Sequence, residues 1–361
     1  MRVLKWIVPM LSIMLLAGCG YKDIDKRFFA VSIGIDTAKS HSKKYLVSIK
    51  FAIPAMGKKS NDFMIVSEEA DTIAEAVRII KTKVDKEVDF SHAKVFIMSP
   101  EVARNKMEPH LYYWPSRRRD FQGIAWVALG KPTALDVLKV KPKSEQIPSN
   151  WIFMTFGKEG SETPYVIPEF LFDFKKRFAE KGLDPLLPII EAKKEFIEVN
   201  SVGLFNKKRL KMNLPPEETK MLNYLLNMEV KSAIKVHQGK DDFIIDTQNV
   251  KTSYKIQSNN HNHPVIDVYL KVSGKIEEEM FQLHNRDLSY YEKLTKKTLD
   301  NETKKLLIKM QKANVDPVGF GLNYRAHHLE NNDWQSWQRL YPHVTFKVHS
   351  HVQIKDTGLI E

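Results

Sequence analysis

A single cysteine in 361 residues, placed at position 19, constrains this chain more than any other feature. No intrachain disulfide is possible, so the fold must be held by its core alone. The cysteine closes an unusual start. Arg2 and Lys5 precede an apolar run from Trp6 to Leu16, and Leu16-Ala17-Gly18-Cys19 follows. A charged beginning, an apolar stretch and then small residues have the architecture of a secretory signal. The run is only about half of the roughly 20 residues that a membrane-spanning helix needs. A permanent span is therefore disfavoured.

An ordinary export signal ends in small residues without a cysteine, whereas here the pair Ala17-Gly18 meets Cys19 directly. Leu-Ala-Gly-Cys resembles the bacterial lipobox. The resemblance implies cleavage after Gly18, an S-diacylglycerol and an N-acyl group on Cys19, and a mature chain held to a bilayer by lipid. Residues 1–18 are then the signal peptide and residues 19–27 a short anchored tether.

Hydrophobic content of 43% and charged content of 28% are those of a water-soluble globular protein. The length left after cleavage suits two or three domains. Loss of Arg2 and Lys5 lowers the formal net charge from +12 to +10, so the mature chain stays basic. A basic exported chain is drawn to anionic headgroups. Nucleic acid is not the expected partner, because the basic residues are spread along the chain instead of alternating with aromatics in one stripe. Arg117-Arg118-Arg119 is the densest cluster and reads as a solvated turn.

Phe28 to Asp36 and Tyr45 to Ile53 are rich in β-branched and aromatic residues around a polar loop, which predicts a hairpin. Phe63 to Val66 is a third short strand. Thr72 and Glu75 form a capping box, and Ile73, Val77, Ile80 and Val84 follow at helical spacing, predicting a helix over 72–86. Ala93 to Met98 reads as a buried strand, 100–105 as a helix start, Gly123 to Leu129 as a strand and 134–138 as helical. Helices and strands alternate, so the fold class is α+β, mixed α/β, with antiparallel or mixed sheets and packed helices.

Ser91-His92-Ala93-Lys94-Val95-Phe96-Ile97-Met98 with Glu101-Val102-Ala103 resembles the H-x-K, strand, helix pattern of the GerC family, the lipoprotein subunits of spore germinant receptors. Arg118-Arg119-Asp120, the strand Ala125 to Ala128 and Gly130-Lys131-Pro132 are similar to that family's next segment. Glu145-Gln146-Ile147-Pro148-Ser149 has its E-x-I-P-S form. Val202 to Leu210 followed by Leu214-Pro215-Pro216-Glu217-Glu218 resembles the start of its C-terminal domain. There, Lys211-Met212 stand where Val-Gly is common, and the turn is expected to differ. The end, Lys355 to Ile360, is similar to the family's terminal motif.

Between these segments, residues 139–150 are Lys/Pro/Ser-rich and read as a linker, a break between two subdomains of an N-terminal region 28–198. Phe170, Phe174 and Phe178 fall on one helix face and read as core. Residues 189–200 read as one strand. The C-terminal domain is taken as 199–361, with strands at 243–245 and 265–272, a long Lys-rich helix over 288–313, a turn at Asp316 to Gly321 into another helix, and an edge strand over 344–354.

No catalytic constellation stands out. His261-Asn262-His263 and His349-Ser350-His351 could each offer two metal ligands from one strand face, but no third ligand is evident; a polar loop and a solvated strand face are the simpler readings. His92 and Asp120 lack a nucleophile at a recognisable spacing. Gly319-Phe320-Gly321 lacks a third glycine and a preceding strand. Trp334 and Trp337 read as core or interface residues. The chain is read as non-enzymatic, without cofactor or metal, and Cys19 is the one assigned site. The family resemblance implies a nutrient germinant receptor subunit on the outer face of the spore inner membrane, needed for germination and assembled with two integral-membrane subunits. It leaves open whether this chain touches the nutrient. The alternative is an extracytoplasmic solute-binding lipoprotein that delivers a small nutrient to a transporter, which predicts a pocket at a domain interface.

Overall fold

The computed structural model describes residues 26–53, 62–105, 107–142, 150–157, 163–228, 231–238, 241–257, 264–279, 287–328 and 332–355. The segment 1–18 read as a signal peptide, Cys19, Glu145 to Ser149, the His261/His263 pair and Asp356 to Ile360 lie outside them.

β1 (Arg27–Thr37) and β2 (Tyr45–Ile53) form the expected antiparallel hairpin, and β3 (Asp62–Ala70) extends it further than the apolar segment alone suggested. β4 (Glu87–Asp89), β5 (Val95–Met98) and β6 (Trp126–Lys131) add parallel pairings, and β7 (Leu186–Ala192) runs parallel to β6. Antiparallel β8 (Ile197–Phe205) and β9 (Leu210–Leu214) complete one mixed sheet in the order β3-β2-β1-β5-β6-β7-β8-β9, with β4 beside β1. β5 is buried on both faces, as a parallel strand between two helical layers should be. Phe96 and Met98 pack with α1 (Ile73–Ile80), α2 (Pro100–Arg104), α3 (Pro109–Arg117) and α6 (Leu171–Ala179), while Val95 and Ile97 meet α4 (Ala134–Lys139) and α5 (Asn150–Phe156).

Several boundaries differ from expectation for identifiable reasons. Thr72 caps α1 by accepting the Glu75 N–H at 3.2 Å, but the helix stops at Ile80 and passes through a 3-10 turn, Lys81–Lys83. Val84 is extended, so its helical spacing was coincidental. The single strand over 189–200 is two strands joined by a turn at 193–196, where the Lys193 N–H donates to the Phe196 carbonyl. The turn after β8 sits at Asn206, whose Oδ1 accepts the Lys208 and Arg209 N–H groups, and Lys211-Met212 lie inside β9. Position 198/199 falls within β8, and the sheet continues through residue 214. The 139–150 segment opens no new sheet, since β6 before it pairs with β7 after it.

The second sheet has the order β10 (Ser232–Gln238), β11 (Asp241–Gln257), β12 (Val265–Glu279), β13 (Thr345–Ile354). α7 (Pro216–Leu225) leads into it, with Glu217 and Glu218 in its first turn, where the helix dipole favours acids. α8 (Leu288–Lys312), about 37 Å long at 1.5 Å per residue, lays Tyr291, Thr295, Leu299, Thr303, Leu306 and Met310 inward. β13 is the expected edge strand. α8 covers its free edge: Asp300 accepts the Ser350 N–H at 2.8 Å and Glu292 that of Ile354 at 2.9 Å. α9 (Phe320–His327) and α10 (Asp333–Leu340) close the chain's last layer. One core cluster joins Leu186, Val202, Leu204 and Leu214 of the first sheet to Ile245, Val268, Leu270 and Phe320 of the second half. The two halves therefore share apolar packing.

Candidate functional site

Cys19 lies seven residues before the first described one, Lys26, so its surroundings are not part of the described structure. Among the described residues, a set of buried and half-buried charges gathers at the joint between the halves. Four chain segments meet there: the end of α6, the turn at 182–185, the β8–β9 turn and the stretch 314–322.

Arg177, on the last turn of α6, places Nε 2.9 Å from Glu169 Oε1 and donates to the carbonyls of Asp184 at 3.3 Å and Pro317 at 3.0 Å. Lys207, from the β8–β9 turn, donates to the Arg177 and Leu183 carbonyls and sits 3.8 Å from Asp184 Oδ1. Asp316 opens α9. Its Oδ1 accepts the Gly319 and Phe320 N–H groups at 2.9 and 3.1 Å, and its Oδ2 that of Gly321 at 2.7 Å. These are the donors a helix N-terminus leaves unpaired. The backbones also touch: the Leu322 N–H donates to the Gly182 carbonyl at 2.8 Å, and a Cβ on Gly182 would lie 2.3 Å from the Gly321 carbonyl carbon. Gly182 holds φ +86°, in the left-handed region open to glycine.

Burial pushes the Asp316 carboxyl up to about 7, against three N–H donors that favour its charged form and with the Asp184 charge adding to the rise. Burial also raises Asp184, opposed by the Asp316 N–H and Lys207. The same burial lowers Lys207 to about 8, with Asp184 opposing. Perturbed acids beside a perturbed amine can mark a catalytic pair, but ion-pair networks shift in the same way. Here the hydrogen-bonding capacity of Asp316 and Lys207 goes to backbone groups. The adjoining cleft, lined in part by Asn206, Lys208, Trp334 and Gln338, has about 250 Å³, below the range usual for small-molecule pockets. The arrangement works as a lock between the halves.

The sequence-singled residues are scattered. His92 is exposed, with Nδ1 3.0 Å from Ser91 Oγ and its ring edge-on to Phe29 at 4.4 Å. Asp120 is held by both Arg118 Nε and a terminal guanidinium nitrogen, at 2.9 and 2.6 Å. His349 and His351 share the exposed face of β13; His349 Nε2 is 2.9 Å from Asp267 Oδ1. Among the described residues, no group of three metal-ligating side chains converges. Phe174 is core, Phe178 stacks on Tyr112 at 4.6 Å and Phe170 on Trp126 at 3.8 Å. Trp337 is buried against Gly321, and Trp334 borders the cleft. An open basic cleft of about 610 Å³ lies at Lys139, Lys141, Lys193 and Lys194. No described helix is long and apolar enough to cross a membrane.

The lock has no local sequence signal: Asp316 reads as part of a turn, and nothing near it in the sequence ties it to residue 184.

Comparison with known proteins finds two consecutive family matches. Residues 20–192 match the spore germination protein N-terminal domain, and residues 200–358 match the spore germination B3/GerAC-like C-terminal domain. A putative spore germination protein of Bacillus subtilis, YfkR, is 23% identical across 99% of this chain and 97% of its own length. The spore germination protein GerQC of Bacillus cereus is 21% identical across 99% of both. The crystal structure of the GerBC protein superposes with a TM-score of 0.60 at 18% identity, covering 90% of this chain and 98% of that one.

Proposed function

The chain belongs to the GerAC-like family of spore germination proteins, and from that premise we propose that it is a non-enzymatic, lipid-anchored subunit of a nutrient germinant receptor. One observation carries the reading: the family match begins at residue 20, immediately after the chain's only cysteine, and continues in order almost to its end. Cleavage after Gly18 would make Cys19 the first residue of the mature protein. Its diacylglycerol supplies two acyl chains, which anchor firmly where one would bind only marginally. The folded part then acts at the outer face of the spore inner membrane by docking on two integral-membrane subunits. A core shared by the two halves suits a scaffold. The solute-binding reading needs unspent polar groups converging in a pocket, and at the joint the Asp184 and Asp316 carboxylates are already committed to backbone partners.

The test is Cys19→Ala in a spore former, with nutrient-triggered germination and the mass of the N-terminal peptide measured together. The proposal expects loss of the diacylglycerol adduct and of germination. Normal germination by the variant overturns the anchoring role.

A further inference from the structure

We propose that one end of the first sheet is a docking surface for an anionic bilayer, which seats the folded domain in a fixed orientation; this rests on the lipid anchor at Cys19. β1 begins at Arg27 level with Glu87 of β4, and β5 and β6, parallel to β1 and to each other, start level with Ser32, so the segments that lead into all four approach from this end. Ile53 at the close of β2 and Asp62 at the start of β3 pair there as well. Backbone hydrogen bonds tie the neighbouring segments together here. The Lys94 N–H donates to the Val31 carbonyl, the Trp126 N–H to the Lys94 carbonyl, and the Phe172 N–H to the Gly123 carbonyl.

This end carries three of the six large apolar side chains left exposed in the described structure: Ile53 at 39%, Ile124 at 61% and Phe172 at 48%. Around them the charge is basic. Arg27 and Arg118 hold Asp89 and Asp120 in ion pairs. Exposed Lys26, Lys86, Arg117 and Arg119 then outnumber the acids Asp85 and Glu87. Arg118 lies over the Phe90 ring, 4.7 Å from its centroid, which fixes the arginine turn at this end. Apolar side chains ringed by cations are the chemistry of a surface that settles at the headgroup boundary.

Chain length selects the occupant. From Cys19 to Lys26 are seven residue steps, about 25 Å even when fully extended. An acylated Cys19 therefore keeps this end of the sheet within that distance of the bilayer, while the opposite end, with Lys39, is a strand length further away.

The experiment uses the full lipidated chain in vesicles of phosphatidylcholine, with or without phosphatidylglycerol. Because Cys19 carries lipid, Ile124→Cys introduces the one free thiol for an environment-sensitive fluorophore, and Lys39→Cys does so at the far end. Quenching by brominated acyl chains is expected at position 124 in anionic vesicles, weak in neutral ones, and absent at position 39. Arg117→Gln and Arg119→Gln should each lower the docked-to-undocked ratio about five-fold. Co-flotation with equal quenching at both positions, or none at 124, overturns the proposal and leaves this end to a protein partner. A chain that does not float with vesicles overturns the anchor and the surface together.

Discussion

Asp184 and Asp316, 132 positions apart, bind each other twice: the Asp316 N–H donates to Asp184 Oδ2 at 2.8 Å, and the Asp184 N–H donates to the Asp316 carbonyl at 2.8 Å. One residue precedes β7 of the first sheet and the other opens α9 of the second half. Their pairing, with Arg177 and Lys207 beside it, makes the relative placement of the halves a matter of hydrogen bonds as well as shared apolar surface.

This joint predicts a pH signature. Asp316 titrates near 7 in the fold and near 3.8 when unfolded. The folded state holds the proton more tightly, so stability falls as pH rises from about 4 to 7. Lys207 works at the other side: lowered to about 8 from 10.5, it returns stability as pH rises from 8 towards 10.5. Asp184 and Tyr341, whose hydroxyl donates to the Val315 carbonyl, face the same space. Urea-denaturation midpoints across pH 4–10 should show a minimum near 7–8. Asp316→Asn should lessen the acid limb, leaving the part that Glu169 and Asp184, raised in the same direction, supply, while losing the Gly321 bond at a cost of about 1–3 kcal/mol. An unchanged slope in that variant would remove Asp316 as its source.

Arg177 and Glu169 give a second test. Both side chains are largely buried, and Arg177 also serves two carbonyls from different halves. Arg177→Met strands a buried carboxyl whose burial already raises it to about 7. The expected loss is about 3 kcal/mol. Adding Glu169→Gln should recover part of it, because the stranded charge is gone. A double variant no better than the single one would place the loss in the carbonyl contacts.

The β1–β2 hairpin and α8 were legible because their signals are local: period-two apolar residues, a polar loop, a long run at helical spacing. The break at 193–196 was not, since Lys193-Lys194-Glu195-Phe196 carries no glycine or proline and the strands on either side are both apolar. The strand at 243–245 is the apolar part of β11, whose full length, Asp241–Gln257, includes charged and polar positions that carry no such signal. At the joint, Gly182, Asp184, Lys207 and Asp316 each looked like ordinary turn residues. Their meaning lies in contacts between segments more than 20 residues apart, which no local pattern encodes. Cys19 is the reverse case: the reading of it as the anchor rests on sequence alone, and it lies outside the described structure.

Gly182 supplies a sharp comparison. Alanine there would meet the Gly321 carbonyl carbon at 2.3 Å and the Leu322 nitrogen at 2.4 Å, at φ +86°. Backbone cannot yield as a side chain can, so Gly182→Ala should cost upwards of about 3 kcal/mol. At Gly123 a Cβ meets nothing nearer than Phe172 Cβ at 3.9 Å, and Gly123→Ala should stay within about 0.5 kcal/mol of the parent. Thermal melts of the two variants side by side check the pair, and equal losses would mean that the halves can separate without penalty at the 182/321 contact.

Lys50 predicts a stabilising substitution. It is 2% exposed, its Nζ lies 3.8 Å from the centroid of the Phe63 ring, and Lys141 Nζ lies 4.5 Å from the same centroid. Burial, helped by the neighbouring Lys141 charge, lowers Lys50 to about 8. An amine lowered from 10.5 disfavours the fold at neutral pH, and that penalty fades as pH climbs from 8 towards 10.5. The ring attraction offsets only part of it. Lys50→Met keeps the length and apolar stem and removes the charge, so it should raise stability at pH 7 by about 1–3 kcal/mol. It should also remove the share of the alkaline rise that Lys207 does not supply. Denaturation of parent and variant at pH 7 and 9.5 decides the matter: a variant less stable than the parent at pH 7 would show that the ammonium on Phe63 is a net support of the fold.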